Sequence, residues 1–180
     1  SFREPKPELP ALSAAWIGGA PDFAAQPVLR REFVGPALPL RQAELRVASP
    51  GFCDVFFNGV RLTSTPIGFW TPFAHRVYVD AHDVTALVAC GARNEIRLEL
   101  GNGWWNPAPY RMWGRLDLRD HLATGTPCAC AELALIGPDG TRRTIATSAA
   151  PCSTTLNSRA STSASRRRRV SSAKGFASLT

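Results

Sequence analysis

The segment Asn94–Gly103, NEIRLELGNG, decides the fold class of this chain. Aliphatic and charged residues alternate along it, and a period of two is typical of a β-strand with one buried and one solvated face. Two glycines follow the strand and predict a tight bend. The alternation places Ile96, Leu98 and Leu100 inward. It places Glu95, Arg97 and Glu99 outward.

The same alternation recurs at short intervals on both sides of this segment. Asn58-Gly59 between apolar runs predicts a two-residue hairpin, because both residues tolerate positive φ. Pro138-Asp139-Gly140 predicts a second hairpin. Short helical turns are expected over 83–88, capped by Asp83, and over 118–122. The predicted strands cover 28–34, 43–49, 53–62 around the first hairpin, 75–80, 94–100, 131–137 and 141–147.

Short strands separated by turns predict an all-β protein, an antiparallel β-sandwich of the jelly-roll, galactose-binding-like type with one or two short helical turns. We divide the chain into a lead-in at 1–13, a β-sandwich module at 14–147 and a tail at 148–180. The 180 residues suffice for one domain of ordinary size. No apolar run approaches the roughly 20 residues of a membrane helix.

Charge separates the tail from the module. Residues 1–146 hold 15 basic and 14 acidic residues, whereas residues 147–180 hold six basic residues and no acidic one. Ser and Thr supply 14 of those 34 residues, and Arg166 to Arg169 form an uninterrupted run. This composition predicts disorder. Two further explanations of this tail are open: it is read out of frame, or its arginines bind an anion. Because the module itself is nearly neutral, the basic charge of the whole chain argues little for a nucleic-acid partner.

Five cysteines without regular spacing favour reduced, packed thiols. No histidine pair stands at zinc spacing, so we expect neither a metal nor another cofactor. The N-terminal SFREPKPELP lacks an apolar stretch after its charges, and with the odd cysteine count this favours the cytoplasm.

The acidic residues alternate with apolar ones on strand faces, so we interpret them as solvated. Glu32, Glu44, Asp54 and Glu132 are examples. Glycoside hydrolysis needs two positioned carboxyl groups, and nothing in this pattern marks such a pair. The histidines have no nucleophile motif around them. The chain alone is therefore expected to be catalytically inactive.

An aromatic-rich loop, GNGWWNPAPYRMWG, follows the strand that ends at Leu100. Two prolines bar regular helix or sheet there. The rings either pack under the loop or against a neighbouring domain, or they stack on a sugar. Trp70, after Phe69, has the same two interpretations. The candidate residues for sugar contact are Trp104, Trp105, Asn106, Tyr110, Arg111 and Trp113.

The order of several phrases resembles the N-terminal β-sandwich module of bacterial α-L-rhamnosidases of glycoside hydrolase family 78. The phrases run from Leu29-Arg30-Arg31-Glu32-Phe33 through Phe57-Asn58-Gly59 and Asp83-Val84-Thr85 to Leu100-Gly101-Asn102-Gly103-Trp104. The resemblance covers roughly residues 14–147, the whole of the predicted module. It implies a parent enzyme that hydrolyses terminal α-L-rhamnosyl residues with inversion, through carboxylates in a barrel that this chain lacks.

The resemblance implies an accessory, non-catalytic sandwich that packs on the catalytic barrel and aids recognition of rhamnose-containing glycans. Two other functions stay open at this point. One is a free-standing carbohydrate-binding module, and the other is a basic-tailed protein that binds nucleic acid or another anion.

Overall fold

A computed structural model describes residues 12–18, 26–107 and 117–148, together with the backbone of a strand at 154–156. These residues form two antiparallel sheets and two short 3-10 turns, Thr85–Leu87 and Leu118–Asp120. The strands are β1 Ile17–Gly18, β2 Pro27–Val34, β3 Gln42–Ala48, β4 Cys53–Phe57, β5 Val60–Arg61, β6 Val79–Asp83, β7 Arg93–Leu100, β8 Cys128–Ile136, β9 Arg142–Ala146 and β10 Thr154–Leu156.

One sheet has the order β1-β8-β3-β6, with β9 also paired to β8. The other has the order β10-β2-β7-β4-β5. The long strand β7 lies at the centre of the second sheet, with β2 on one side and β4 on the other. The predicted antiparallel, all-β sandwich is thereby confirmed. Among the described residues, no helix is long and apolar enough to cross a membrane.

The core lies between the two sheets and consists of the alternate residues that the sequence pattern predicts. Burying one face of each strand removes its aliphatic side chains from water, which is the main favourable term in folding. Phe33 and Phe57 meet edge to face with ring centroids 6.2 Å apart. The largest fully buried apolar side chains of this core are Phe57, Leu45, Leu133, Leu135, Val47 and Val55.

Both predicted hairpins are present. Asn58 and Gly59 adopt φ of 48° and 80°, the positive values that a tight two-residue turn requires. Asn58 also ties the turn to the fold: its amide group donates to Leu87 O and to Asn94 Oδ1, both at 2.8 Å, and its carbonyl oxygen accepts from Glu95 N. The turn is therefore fixed by hydrogen bonds as well as by backbone preference.

The strand expected at 75–80 was wrong in its position, because β6 begins only at Val79. The preceding residues form a turn instead. His75 N and Arg76 N both donate to Pro72 O, at 2.7 and 3.1 Å, and Thr71 Oγ1 donates to Arg76 O at 2.7 Å. These local bonds satisfy the backbone before the strand can begin. The two helical turns lie where they were expected, and Asp83 Oδ1 accepts from Thr85 N at 2.9 Å.

Strand β10 lies in the segment for which the sequence predicted disorder. Thr154–Leu156 pairs antiparallel with Pro27–Leu29 at the edge of the second sheet. Threonine is a favourable strand residue, so this short stretch matches local propensity although the surrounding composition is polar. The other residues from 149 to 180 lie outside the described part of the chain.

Glu132 is the clearest departure from the expectation of solvated acids. Glu132 is 3% exposed, and Arg46, on the neighbouring strand β3, is 4% exposed. Arg46 Nη2 donates to Glu132 Oε1 at 2.6 Å, and Ser13 donates to Glu132 Oε2 through Oγ at 2.7 Å and through its backbone N at 3.1 Å. Strand β8 is thus buried on both faces, and Glu132 attaches the lead-in at Ser13 to the sheet.

We expect this buried ion pair to be strongly coupled. Arg46→Ala should lower the free energy of unfolding by about 3–5 kcal/mol, because it removes the buried cation and leaves Glu132 only the more distant, exposed Arg142, whose Nη2 lies 3.6 Å from Oε1. The double variant Arg46→Met with Glu132→Leu should lose less than the sum of the two single variants. Urea denaturation of the wild type, Arg46→Met, Glu132→Leu and the double variant measures this coupling, with Arg46→Ala measured alongside. A loss below about 1 kcal/mol for Arg46→Ala would contradict the assignment.

Glu132 also predicts a pH dependence. Burial by itself would raise its pKa, but the hydrogen bonds from Ser13 and Arg46 and the charge of Arg46 outweigh burial, so the pKa lies below its ordinary 4.5. Since the folded-state pKa is depressed, the stabilisation by Glu132 is present above about pH 4.5 and disappears as pH falls through the lower folded value. The difference in free energy of unfolding between wild type and Glu132→Gln should therefore become smaller as the pH falls below about 4.5. A difference that widens on acidification would contradict this sign.

Candidate functional site

Three loops meet at one end of the sandwich: residues 49–52 before β4, 67–70 after β5, and 101–105 after β7. Ile67 forms an isolated bridge with Cys53, with N···O distances of 2.9 and 3.0 Å. Gly101 N donates to Phe52 O at 2.7 Å. A Cβ atom at Gly68 would lie 2.4 Å from Gly51 O, so only glycine permits this approach of the two loops.

These loops and the start of β6 expose large aromatic side chains to solvent. Phe69 is 74% exposed and Tyr78 is 58% exposed. Isolated exposed apolar residues are ordinary, but several at the same end of a small domain mark a contact surface. We call this surface the aromatic end, and it consists of Phe52, Phe69, Trp70, Tyr78 and Trp104.

The adjacent tryptophans of the candidate loop have opposite environments. The Trp104 side chain lies at the surface, with 48% exposure, whereas Trp105 is 5% exposed. Trp105 Nε1 donates to Thr126 O at 2.8 Å, and its ring meets Phe73 edge to face at 5.6 Å. A buried indole needs such a partner for its N–H. Trp105 therefore anchors the loop, and Trp104 is the ring that a ligand or another domain can reach.

Asn106 is also buried, and it holds the loop together. Its amide nitrogen donates to Asn102 Oδ1 at 2.7 Å, and its backbone N donates to Asn102 O at 3.0 Å. Arg119 donates to Asn106 Oδ1 through Nη2 and to Pro107 O through Nε. These bonds give the loop a fixed shape beneath Trp104. The remaining candidates, Tyr110, Arg111 and Trp113, lie outside the described residues.

A cleft of about 210 Å³ opens beside the aromatic end. Two exposed aromatic rings, a carboxylate and a loop backbone therefore converge on one small space. Sequence reasoning missed Tyr78 and Asp80, because position in a predicted strand gave no sign that they reach this cleft. Its lining residues are Ser49, Ile67, Gly68, Phe69, Tyr78 and Asp80.

The thiols near this end are unsuited to nucleophilic chemistry. Burial, together with the charges of nearby carboxylates, raises the pKa of Cys53 to about 12. Burial likewise raises the pKa of Cys128 to about 12. A nucleophilic cysteine needs a lowered pKa, so these two thiols remain protonated at neutral pH. Within the described ranges, no group of three His, Cys, Asp or Glu side chains is placed to hold a metal ion.

Carboxylates on the outer face of the second sheet are paired with arginines. Arg61 Nη2 lies 2.6 Å from Asp54 Oδ1, and Arg30 Nε lies 3.1 Å from Glu95 Oε2. Arg93 pairs with Glu32 in the same way, and Arg97 Nη1 lies 3.2 Å from Glu99 Oε1. This arrangement makes a charge-balanced solvated face and agrees with the sequence-based interpretation of these acids.

The comparisons with known proteins fit this architecture. Residues 39–162 match the model of the α-L-rhamnosidase N-terminal domain, which is more than half of the chain. The chain belongs to the α-L-rhamnosidase N-terminal domain family. The resemblance seen in the sequence is confirmed, and the match extends past the boundary predicted at 147. A comparison with curated protein sequences gave no match.

Solved structures of α-L-rhamnosidases contain similar sandwiches. The enzyme of Streptomyces avermitilis, solved with L-rhamnose, aligns with a TM-score of 0.59 and 26% identity over 72% of this chain and 12% of that chain. The Aspergillus terreus enzyme aligns with a TM-score of 0.65 and 18% identity over 80% of this chain and 17% of that one. The family member described here thus spans less than a fifth of the length of either enzyme.

The two tryptophans of the loop should differ sharply in their effect on stability. Trp105→Ala should cost about 3–5 kcal/mol, because it removes a buried ring and leaves Thr126 O without its donor. Trp104→Ala serves as the matched control and should change stability by no more than about 0.5 kcal/mol. Chemical denaturation measures both. Equal losses for the two variants would contradict the opposite environments.

Proposed function

We propose that this chain is an accessory, non-catalytic module of an α-L-rhamnosidase. Membership in the N-terminal domain family carries the proposal. The short share of each solved enzyme that the sandwich matches, 12% and 17%, supports a role beside a much larger catalytic part. The arginine-paired carboxylates of the second sheet support a non-catalytic role, because hydrolysis of a glycoside needs a carboxylic acid held ready to protonate the leaving group.

Within the aromatic end, we assign Phe52, Phe69 and Trp70 to packing on the catalytic barrel. Phe69 and Trp70 project from a loop whose backbone is fixed against Gly51, so their rings are held outward rather than folded into the core. Removing such rings from water on contact with another domain is favourable by about 25 cal/mol per Å² of apolar surface. Among the described residues, the outer face of the second sheet carries paired charges and no aromatic side chain exposed to this degree.

Contact with a rhamnose-containing glycan is the second part of the proposal. The half-exposed ring of Trp104 supports it, because sugar C–H groups stack on aromatic faces and the loop beneath this ring is rigidly hydrogen-bonded. In this proposal Trp105 and Asn106 position the loop from beneath. Tyr110, Arg111 and Trp113 remain proposed contacts on the same loop.

The accessory role predicts that the purified 180-residue chain does not hydrolyse an aryl α-L-rhamnoside. Release of 4-nitrophenol from 4-nitrophenyl α-L-rhamnopyranoside should stay at the rate measured without protein. An intact α-L-rhamnosidase assayed in parallel serves as the positive control. Saturable hydrolysis that copurifies with the chain would overturn the non-catalytic assignment.

A further inference from the structure

The strand β9, residues 142–146, lies at an edge of the first sheet. Within the described ranges it pairs with β8 alone. Just after β9, Thr147 N donates to Ala131 O at 2.9 Å, so the backbone of Thr147 faces β8. Because this direction alternates along an antiparallel strand, every second residue of β9 directs its N–H and C=O away from β8. These residues are Arg142, Thr144 and Ala146.

The outward side of β9 is open. Arg142, Arg143 and Thr144 are exposed to solvent. Among the described residues, no hydrogen bond engages the outward backbone groups of Arg142, Thr144 or Ala146. A row of unpaired backbone groups at a sheet edge is a template for another extended strand. In such strand addition, main-chain hydrogen bonds supply affinity and pockets for alternate side chains supply selectivity.

Two apolar hollows flank β9. A groove of about 440 Å³ lies beside its first residues, and Leu38, Leu40 and Leu135 line it. A smaller hollow of about 40 Å³ lies at the end of the strand, lined in part by Ile17 and Ile145. Leu135 belongs to the core between the sheets and Ile145 packs against that core, so both hollows lie on the inner side of β9. Inward side chains of an added strand would therefore meet apolar surface.

The charge around β9 is basic. Arg143 forms no ion pair within the described ranges. Arg142 Nη2 lies 3.6 Å from Glu132 Oε1, and the Arg142 side chain stays 55% exposed. Asp139, which also lines the groove, already accepts from Thr141 through Oδ1. Acidic side chains on an added strand would find cationic partners here, whereas a second copy of β9 would bring the same arginines and repel.

We propose that the edge of β9 and the groove beside it receive an extended segment of the parent enzyme that lies outside these 180 residues. Its backbone pairs with the outward groups of β9, its aliphatic side chains point inward and its acidic side chains point outward. This inference rests on the proposed accessory role, since the sandwich matches only 12% and 17% of the two solved enzymes. The tail from 147 to 180 has no acidic residue and does not fit as the occupant.

The test uses the full chain and a fluorescein-labelled peptide, EVEVEVE, with binding read as fluorescence anisotropy. We expect saturable binding at millimolar peptide concentration, and none of the oppositely charged peptide KVKVKVK. A form of EVEVEVE with N-methylated backbone amides keeps the charges and loses the donors. It should bind at least about tenfold more weakly, because strand pairing is removed.

Thr144→Pro is the sharpest variant, because it removes an outward N–H and leaves the hydrogen bonds to β8 in place. It should weaken binding of EVEVEVE by at least about tenfold, whereas the matched control Thr144→Val keeps the N–H and should bind like the wild type. Arg143→Glu should also weaken binding. Arg61→Glu makes the same change of charge on β5, in the other sheet, and should not. Circular dichroism verifies folding, and if Thr144→Pro does not fold, the N-methylated peptide gives the same comparison.

Three results would overturn the inference. If the wild-type chain does not bind EVEVEVE, the arginines of β9 only protect the edge from self-pairing. If the N-methylated peptide and the Thr144→Pro variant bind normally, charge alone holds the peptide. If replacing Arg166 to Arg169 by glutamine abolishes binding, the peptide occupies the basic tail. None of these measurements involves a sugar or hydrolysis, so the rhamnoside assay tests the accessory role separately.

Discussion

The close contact between the backbones of Gly51 and Gly68 holds together the loops of the aromatic end of this sandwich. Side chains are excluded there, since a Cβ atom on Gly68 would lie 2.4 Å from the carbonyl oxygen of Gly51. The contact holds the 67–70 loop against the start of β4, and the hydrogen bond from Gly101 to Phe52 brings the loop after β7 to the same place. On these loops Phe52, Phe69, Trp70 and Trp104 face solvent, whereas Trp105 is buried and anchors its loop.

The rest of the fold provides a rigid support for that end. Strand β7 joins β2 and β4 in one sheet, and β8 joins β3, β1 and β9 in the other. The buried pair of Arg46 and Glu132 joins the lead-in to the sheet through Ser13, so the outer face of β8 is sealed as well as the inner one. The outer face of β8 in the first sheet is thus covered by the lead-in. The outer face of the second sheet carries paired charges, and the aromatic end is apolar.

Local pattern was sufficient to predict most of the architecture. The alternation around Ile96 and Leu98 and the Asn58-Gly59 turn depend on nearest neighbours along the chain, which the sequence displays directly. The burial of Glu132 depends on what covers β8 from outside, and no local pattern reveals that cover. The start of β6 shifted because backbone hydrogen bonds to Pro72 compete with strand pairing.

The candidate site likewise combines features that the local sequence predicts with features that depend on long-range packing. The sequence shows two neighbouring tryptophans without distinguishing them, and only the packing against Phe73 and Thr126 decides that Trp105 is the buried one. That Asp80 lines the cleft could likewise not be predicted from the sequence, because it depends on the pairing of Asp80 with Val47 across the sheet. Long-range register, rather than composition, determines which polar groups reach the aromatic end.

The most direct test of the account is hydrogen–deuterium exchange of the intact chain with and without a saturating oligosaccharide that ends in α-L-rhamnose. Exchange should be slower within residues 101–105, the loop that carries Trp104. Loops at the opposite end of the sandwich, 36–41 and 137–141, should exchange at the same rate in both samples. Protection confined to those opposite loops, or unchanged exchange throughout, would contradict the proposal that the Trp104 loop contacts the glycan.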